Sequence, residues 1–225
     1  MAQGEPGRDV MNREKLNEAK QLWAREGRLL VPRERLGEVN RLPPGQHLVR
    51  DWPVLDIGPE PNIMAADWRV TIGGKVGQPV ELGWREFSSL PQRDSVSDIH
   101  CVTGWSRYDN EWRGVATKDL LAVVRPSWEA RFVILRSFDS YSTTLSIDDF
   151  SHSAAILATH WAGKPLTRSH GAPVRLILSH LYLWKSAKWL RHIWFTDKDV
   201  PGYWEQRGYH KRGDPWRQQR YGSSS

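Results

Sequence analysis

From Asp67 onward the chain is broken at short intervals by glycine, proline and charged residues, and the apolar runs between these breaks are all short. That spacing is the strongest constraint on the fold. It leaves room for short strands and for helices of a few turns, and none for a long helical bundle. WRVTI and QPVEL flank GGKVG as a hairpin. Residues 84–90 read as a short helix, and SVSDIHCVTG as a strand ending in a loop. Thr117 is a candidate cap for a helix over KDLLAVV that stops at Pro126. RFVILRSF is the clearest strand; YSTTLSI, GAPVRLIL and KWLRHIWF are others. Residues 148–158 read as a helix. Short strands mixed with short helices predict an α+β fold with mixed sheets rather than a doubly wound one.

Residues 1–30 read as a helical extension. Asp9 is its candidate cap, Leu16, Ala19, Leu22 and Trp23 share one side, and Gly27 ends it. Residues 31–61 are rich in proline, glycine and arginine, yet too apolar for a free linker, so they are expected to lie extended across the core. The division expected is one domain over 31–220 with a disordered tail over 221–225. No apolar run approaches the roughly 18 residues a membrane span needs. The first residues, MAQGEPGRDVMNREKLNEAK, are too charged for a signal peptide and carry no twin-arginine stretch. A cytoplasmic monomer is therefore expected.

Of the 225 residues only Cys101 is cysteine. A single thiol forms no intrachain disulfide and supplies no multi-thiolate zinc site. Three roles remain open: a buried structural thiol, a nucleophile, or one thiolate ligand to a metal whose other donors come from elsewhere. His100 is adjacent, and neighbouring side chains on a strand face opposite ways, which weakens a His100–Cys101 dyad. The formal net charge of +6 fits an anionic cofactor or substrate, nucleic acid, or a solvated basic surface. The thirteen tryptophans supply rigid amphipathic rings suited to walling a cleft around a large planar ligand, or to filling core and surface grooves.

GGKVG lacks the spacing of a phosphate loop, and the histidines form no pair at metal-ligand spacing. A stronger pattern lies between Ser169 and Ile193. Gly171 and Pro173 stiffen the start of a strand on which Arg175 sits among apolar residues. A buried arginine needs an acceptor or an anion. Lys185, Ser186 and Lys188 follow and complete a set suited to phosphate, although a core carboxylate would serve Arg175 equally well.

CVTGWS with WRGV downstream, YSTTLSI, and LATHWAGKPLTRSHGAPVRLIL followed by KSAKWL resemble the molybdopterin-dependent oxidoreductases of the sulfite oxidase type. The ordered set carries the resemblance: a cysteine loop, then HGxPxR, then KxxKW. The resemblance implies a molybdenum–molybdopterin cofactor with Cys101 as the protein ligand to the metal. It places the phosphate of the pterin with His170, Arg175, Ser186, Ala187 and Lys188. LVRDW stands where the family reads F-V-R-N-H, which brings Arg50, Asp51 and His47 near pterin and metal. Tyr141 matches the active-site tyrosine, with Ser137 and Phe138 on the strand leading to it.

Sulfite oxidases continue C-x-G-N-R-R after the ligand cysteine, whereas C-V-T-G-W-S-R is more similar to the bacterial methionine sulfoxide reductase branch. The expected activity is two-electron oxygen-atom transfer on a small substrate, a sulfite-like oxyanion or a sulfoxide. Arg50, Arg107 and Arg136 are candidates to orient an oxyanion. The absence of a heme domain from the chain implies a separate electron-transfer partner. Two other classes stand beside this reading. One is a nucleic-acid-binding module using the tail GYWEQRGYHKRGDPWRQQRY. The other is a cysteine-nucleophile hydrolase.

Overall fold

A computed structural model describes residues 41–222. The helix expected between Asp9 and Gly27 lies outside these residues. The elements are, in chain order, β1 (His47–Leu48), β2 (Arg69–Gly74), β3 (Val80–Gly83), α1 (Trp84–Ser89), β4 (Gln92–His100), β5 (Trp105–Ala116) and α2 (Thr117–Val124). They continue with β6 (Phe132–Ser137), β7 (Ser142–Ser146), α3 (Ile147–Phe150), β8 (Ala155–Trp161), β9 (Lys164–Pro165), β10 (Arg175–Leu178) and β11 (Leu190–Thr196). The expected α+β arrangement of mixed sheets and short helices is what forms.

The strands make two sheets. One runs β1-β5-β8-β10, with β4 paired to β5 and β9 to β8; the other runs β3-β2-β11-β6-β7. β1 pairs β5 in parallel and β11 pairs β2 in parallel; the remaining ladders are antiparallel. Both sheets turn one face to a common core. Val70 and Ile72 of β2, Val133 and Leu135 of β6, and Ile193 and Phe195 of β11 meet Leu157 of β8 and Leu176 and Leu178 of β10 there. The other face of the first sheet is also covered. Ile156 and Ala158 of β8 and Ile177 of β10 join Trp52, Cys101, Trp105, Trp112, Tyr182, Trp184 and Tyr209 in a second cluster.

That double coverage explains one sequence expectation that fails. Residues 148–158 are not a helix. Only Ile147–Phe150 is helical, and β8 begins at Ala155. A strand buried on both faces loses the apolar–polar alternation that identifies it, and AILA then reads like a buried helical turn. A second correction concerns Thr117. It is the first residue of α2 and not its cap; Ala116 is the N-cap, and the Thr117 hydroxyl donates to the Phe150 carbonyl. The hairpin over β2 and β3, helix α1, and strands β4, β6, β7, β10 and β11 stand where the sequence places them.

Residues 49–64 carry no regular element and lay Trp52 into the second cluster. The C-terminal residues, from Gly202, have one 3₁₀ turn (Glu205–Arg207), and Tyr221 bridges back to Tyr209. The chain is thus held through Tyr221; residues 223–225 lie outside the description. Asp149 of α3 anchors this tail. It accepts from Ser146, from His180 at 3.2 Å and from the Arg212 guanidinium at 3.1–3.2 Å. Among the described residues no helix is long and apolar enough to cross a membrane.

Burial alone would push the Asp149 carboxyl up, but the bonds from His180, Arg212 and Ser146 outweigh it and hold it well below the usual carboxylate range. A depressed carboxyl stabilises the fold above its unfolded value and loses that contribution as the pH falls below about 4. Asp149→Asn is expected to destabilise the protein at pH 7 by on the order of 3 kcal/mol. It should also flatten the loss of melting temperature between pH 4 and pH 2, as followed by calorimetry.

Candidate active site

The site lies on the second face of the first sheet. β4 and β5 form a long hairpin whose connection, residues 101–104, opens onto a cleft. Four backbone features fix this turn. The Cys101 N–H donates to the Trp105 carbonyl at 2.8 Å and the Gly104 N–H to the Cys101 carbonyl at 3.0 Å. Gly104 takes φ +97°, a conformation open to glycine and strained for other residues. Gln46 Nε2 donates to the Cys101 carbonyl at 3.1 Å. Cys101 is only 5% exposed, yet it lines the cleft, and Thr103 Oγ1 donates to its sulfur at 3.1 Å.

His100 turns away, as strand alternation requires. It is buried with Nδ1 2.8 Å from Ser106 Oγ, and it does not line the cleft. Burial pushes its pKa down to about 4. A buried, neutral imidazole facing elsewhere is no activating base for Cys101.

The far end of the cleft is built by β10 and the turns on either side of it. Arg175 is buried, and its hydrogen bonds all go to backbone carbonyls: His170 at 2.9 Å, Ser186 at 3.1 Å and Leu176 at 3.4 Å. Desolvation pushes the guanidinium down to about 9. Lys188 ion-pairs with Asp56 and donates to the Ser169 carbonyl at 2.9 Å; burial pushes its ammonium below the usual lysine value and Asp56 partly opposes that. The Ser186 hydroxyl accepts from the Leu178 N–H at 3.0 Å and keeps its own proton for the cleft. His170 stacks on Trp52 with centroids 4.1 Å apart. The Trp52 carbonyl 3.2 Å from Nε2 can only accept, so Nε2 carries the proton and Nδ1 accepts from Thr167.

The cleft encloses about 930 Å³, solvent space at its mouth included. Its walls include Trp52, Trp105, Trp184 and Trp204, four of the thirteen tryptophans, together with Tyr141 and Tyr209. Trp184 Nε1 is buried and has no hydrogen-bond partner among the described residues. Tyr141 donates its hydroxyl to the Trp184 carbonyl, and burial holds its phenol well above the usual value. Asp139, pushed up by burial, also lines the cleft.

The structure therefore brings together Cys101, Tyr141, His170, Arg175, Ser186 and Lys188. Ala187 is buried beside them, with its carbonyl accepting from Leu176. Ser137 and Phe138 lie behind Tyr141 and not on the cleft surface: Phe138 packs beneath the Arg191 guanidinium, and the Ser137 N–H donates to the Tyr141 carbonyl at 2.9 Å. His47, Arg50 and Asp51 are exposed and line none of it. Lys185, which the sequence groups with Lys188, points the other way and is buried against Glu205 and the Thr144 carbonyl. Asp56, Thr103, Asp139 and Tyr209 are cleft residues that sequence reasoning passed over. The tryptophan count was the signal for the aromatic walls.

Among the described residues no group of three or more histidine, cysteine, aspartate and glutamate side chains is placed to hold a metal ion. Any metal at Cys101 takes its other donors from a ligand. The chemistry of the lining fits such a ligand: a soft thiol at one end, a guanidinium, an ammonium and hydroxyls at the other, indole walls between, and one indole N–H still to be satisfied.

These features define a molybdopterin-binding oxidoreductase. The family model described as "Oxidoreductase molybdopterin binding domain" matches residues 57–204, and the chain belongs to that family. It is 44% identical over 182 residues to the uncharacterized oxidoreductase YuiH of Bacillus subtilis (strain 168), covering 80% of this chain and 92% of that protein. It is 29% identical over 159 residues to the protein-methionine-sulfoxide reductase catalytic subunit MsrP of Xanthomonas axonopodis pv. citri, covering 64% of this chain and 49% of that one. The chain thus spans about half the length of that reductase. The fold is shared with the sulfane dehydrogenase SoxCD of Paracoccus pantotrophus, with a TM-score of 0.58, 19% identity, and coverage of 63% of this chain and 41% of that chain.

Losing the charge of Arg175 or Lys188 is expected to weaken cofactor retention about ten- to a hundredfold, the range for a charged hydrogen bond. Molybdenum content and pterin fluorescence of Arg175→Met and Lys188→Met check this. Arg136→Met, on the exposed face of β6, should retain the wild-type content.

Proposed function

We propose that this chain catalyses two-electron oxygen-atom transfer on a small neutral substrate of the sulfoxide class, with Cys101 as the protein ligand to molybdenum. The observation that carries the reading is a lone thiol at one end of a tryptophan-walled cleft whose other end is a desolvated arginine and lysine. The bound cofactor supplies the redox chemistry; in sum, a sulfoxide, two electrons and two protons give a thioether and water. The chain's own part is to bind, orient and exclude water.

Arg175, Lys188 and Ser186 hold the phosphate end of the pterin. The two ring nitrogens of His170 are engaged by Trp52 and Thr167, so His170 serves by fixing Trp52 as a wall. Tyr141, with its hydroxyl committed to the Trp184 carbonyl, sets the position of that indole rather than donating to substrate.

The choice of a neutral substrate over an oxyanion follows from where the arginines stand. Arg107 donates to the Arg50 carbonyl and to Asn110, Arg136 is exposed on β6, and Arg50 is exposed; none of them lines the cleft. Next to Cys101 the lining is Val102, Thr103, Trp105 and Tyr209. An oxyanion desolvated there meets no cation among these lining residues; Arg220, which donates to the Val102 carbonyl, is not one of them. Electrons come from a separate donor protein or small carrier.

Part of the tail that a nucleic-acid-binding module would use is committed elsewhere, although Lys211, Trp216 and Arg217 stay exposed. Trp204 and Tyr209 line the cleft, Arg212 is tied to Asp149 and Asp214, and Arg220 to the Val102 carbonyl.

Purified, cofactor-loaded protein should reduce methionine sulfoxide or dimethyl sulfoxide with a reduced viologen as donor. Rapid oxidation of sulfite with no sulfoxide turnover would contradict the substrate class. Cys101→Ser should retain pterin but lose turnover by more than the 10–100-fold typical of disturbing a residue behind a metal ligand. Full activity in that variant would remove Cys101 from the metal.

A further inference from the structure

The turn that carries Cys101 holds a second polar side chain facing the cleft. Its backbone is fixed from three directions, by the Cys101–Trp105 bond, by Gln46 on the Cys101 carbonyl and by Arg220 on the Val102 carbonyl. Gln46 is itself held by Ser106, whose hydroxyl lies 3.3 Å from Oε1. None of these bonds involves the Thr103 side chain. Within that frame the Thr103 hydroxyl makes a single hydrogen bond among the described residues, to the sulfur of Cys101 at 3.1 Å. The bonds that hold the turn do not use the hydroxyl, which serves the sulfur and not the loop.

We propose that Thr103 is a positioning residue for the molybdenum ligand: its O–H fixes the direction of the Cys101 side chain and withdraws electron density from the sulfur, and so sets the potential at which the bound metal is reduced. The inference rests on reading Cys101 as the ligand. A hydrogen bond to a metal-bound sulfur weakens its donation to the metal. That favours the reduced form and raises the potential. Cys101 is 5% exposed and the bond is part-buried, so it is weakened by water less than a surface bond would be.

The experiment is a reductive titration of cofactor-loaded wild type, Thr103→Val and Thr103→Ser. It is followed by electron paramagnetic resonance and by the sulfur-to-metal absorption band, with molybdenum content measured in each preparation. Thr103→Val preserves shape and removes the donor. It should load normally, shift its band, and titrate at lower potential by about a tenfold change in equilibrium constant, the scale of one hydrogen bond to a charged group. Thr103→Ser restores the donor and should return both signals to the wild-type position. Loaded Thr103→Val with wild-type potential and band would overturn the proposal. So would equal shifts in both variants, which would assign the effect to packing. A loaded Cys101→Ala protein with an unchanged band would remove Cys101 as ligand and the role of Thr103 with it. Failure of Thr103→Val alone leaves Cys101 in place.

Discussion

The site depends on one buried guanidinium. Arg175 begins a strand that is covered on both faces, and it satisfies its donors with the carbonyls of His170 before it and Ser186 after it. Those two bonds tie together the turns that carry His170, Ser186 and Lys188. They leave the charge itself without a carboxylate in hydrogen-bond contact, and desolvation has already weakened its hold on its proton. A cation kept in that state is unfavourable unless an anion joins it. In the function proposed above, the phosphate end of a pterin would supply that anion, and what is unfavourable in the protein alone would become the basis of cofactor affinity.

The second condition is the double burial of β8 and β10. One face closes the core against the five-stranded sheet; the other presents Ile156, Ala158 and Ile177 as the floor under the tryptophans. The cleft needs three sequence-distant pieces above that floor: the extended segment around Trp52, the β4–β5 turn with Cys101, and the tail with Trp204 and Tyr209. The Asp149–Arg212 pair holds the tail in place from outside the site. Thus the aromatic residues divide: Trp68, Trp112 and Trp189 are core, Trp128, Trp194 and Trp216 are exposed, and Trp52, Trp105, Trp184 and Trp204 wall the space between a thiol and a cation pair.

Much of this was legible in the sequence. Strands with alternating faces, such as β2 and β6, declared themselves, and so did the order of cysteine loop, HGxPxR and KxxKW. Strand β8 did not, because covering both faces erases the period that marks a strand. Lys185 and Lys188 illustrate the limit at the site. Three residues apart in KSAK, they share one composition and diverge in space, because Leu183–Lys185 is a 3₁₀ turn that sends Lys185 to Glu205 while Lys188 reaches Asp56. Asp56 and Tyr209 carry no motif, and Thr103 sits inside CVTGWS with nothing in the sequence to assign it a role. Their place in the cleft comes from how the extended segment, the turn and the tail pack over the sheet.

The most direct test is diffraction from crystals of the cofactor-loaded protein at the molybdenum absorption edge. The account predicts one anomalous peak at bonding distance from Sγ of Cys101, with the phosphate of the pterin against Arg175 and Lys188. A peak away from Cys101, or a phosphate held by Arg50 or Arg107 instead, would contradict it.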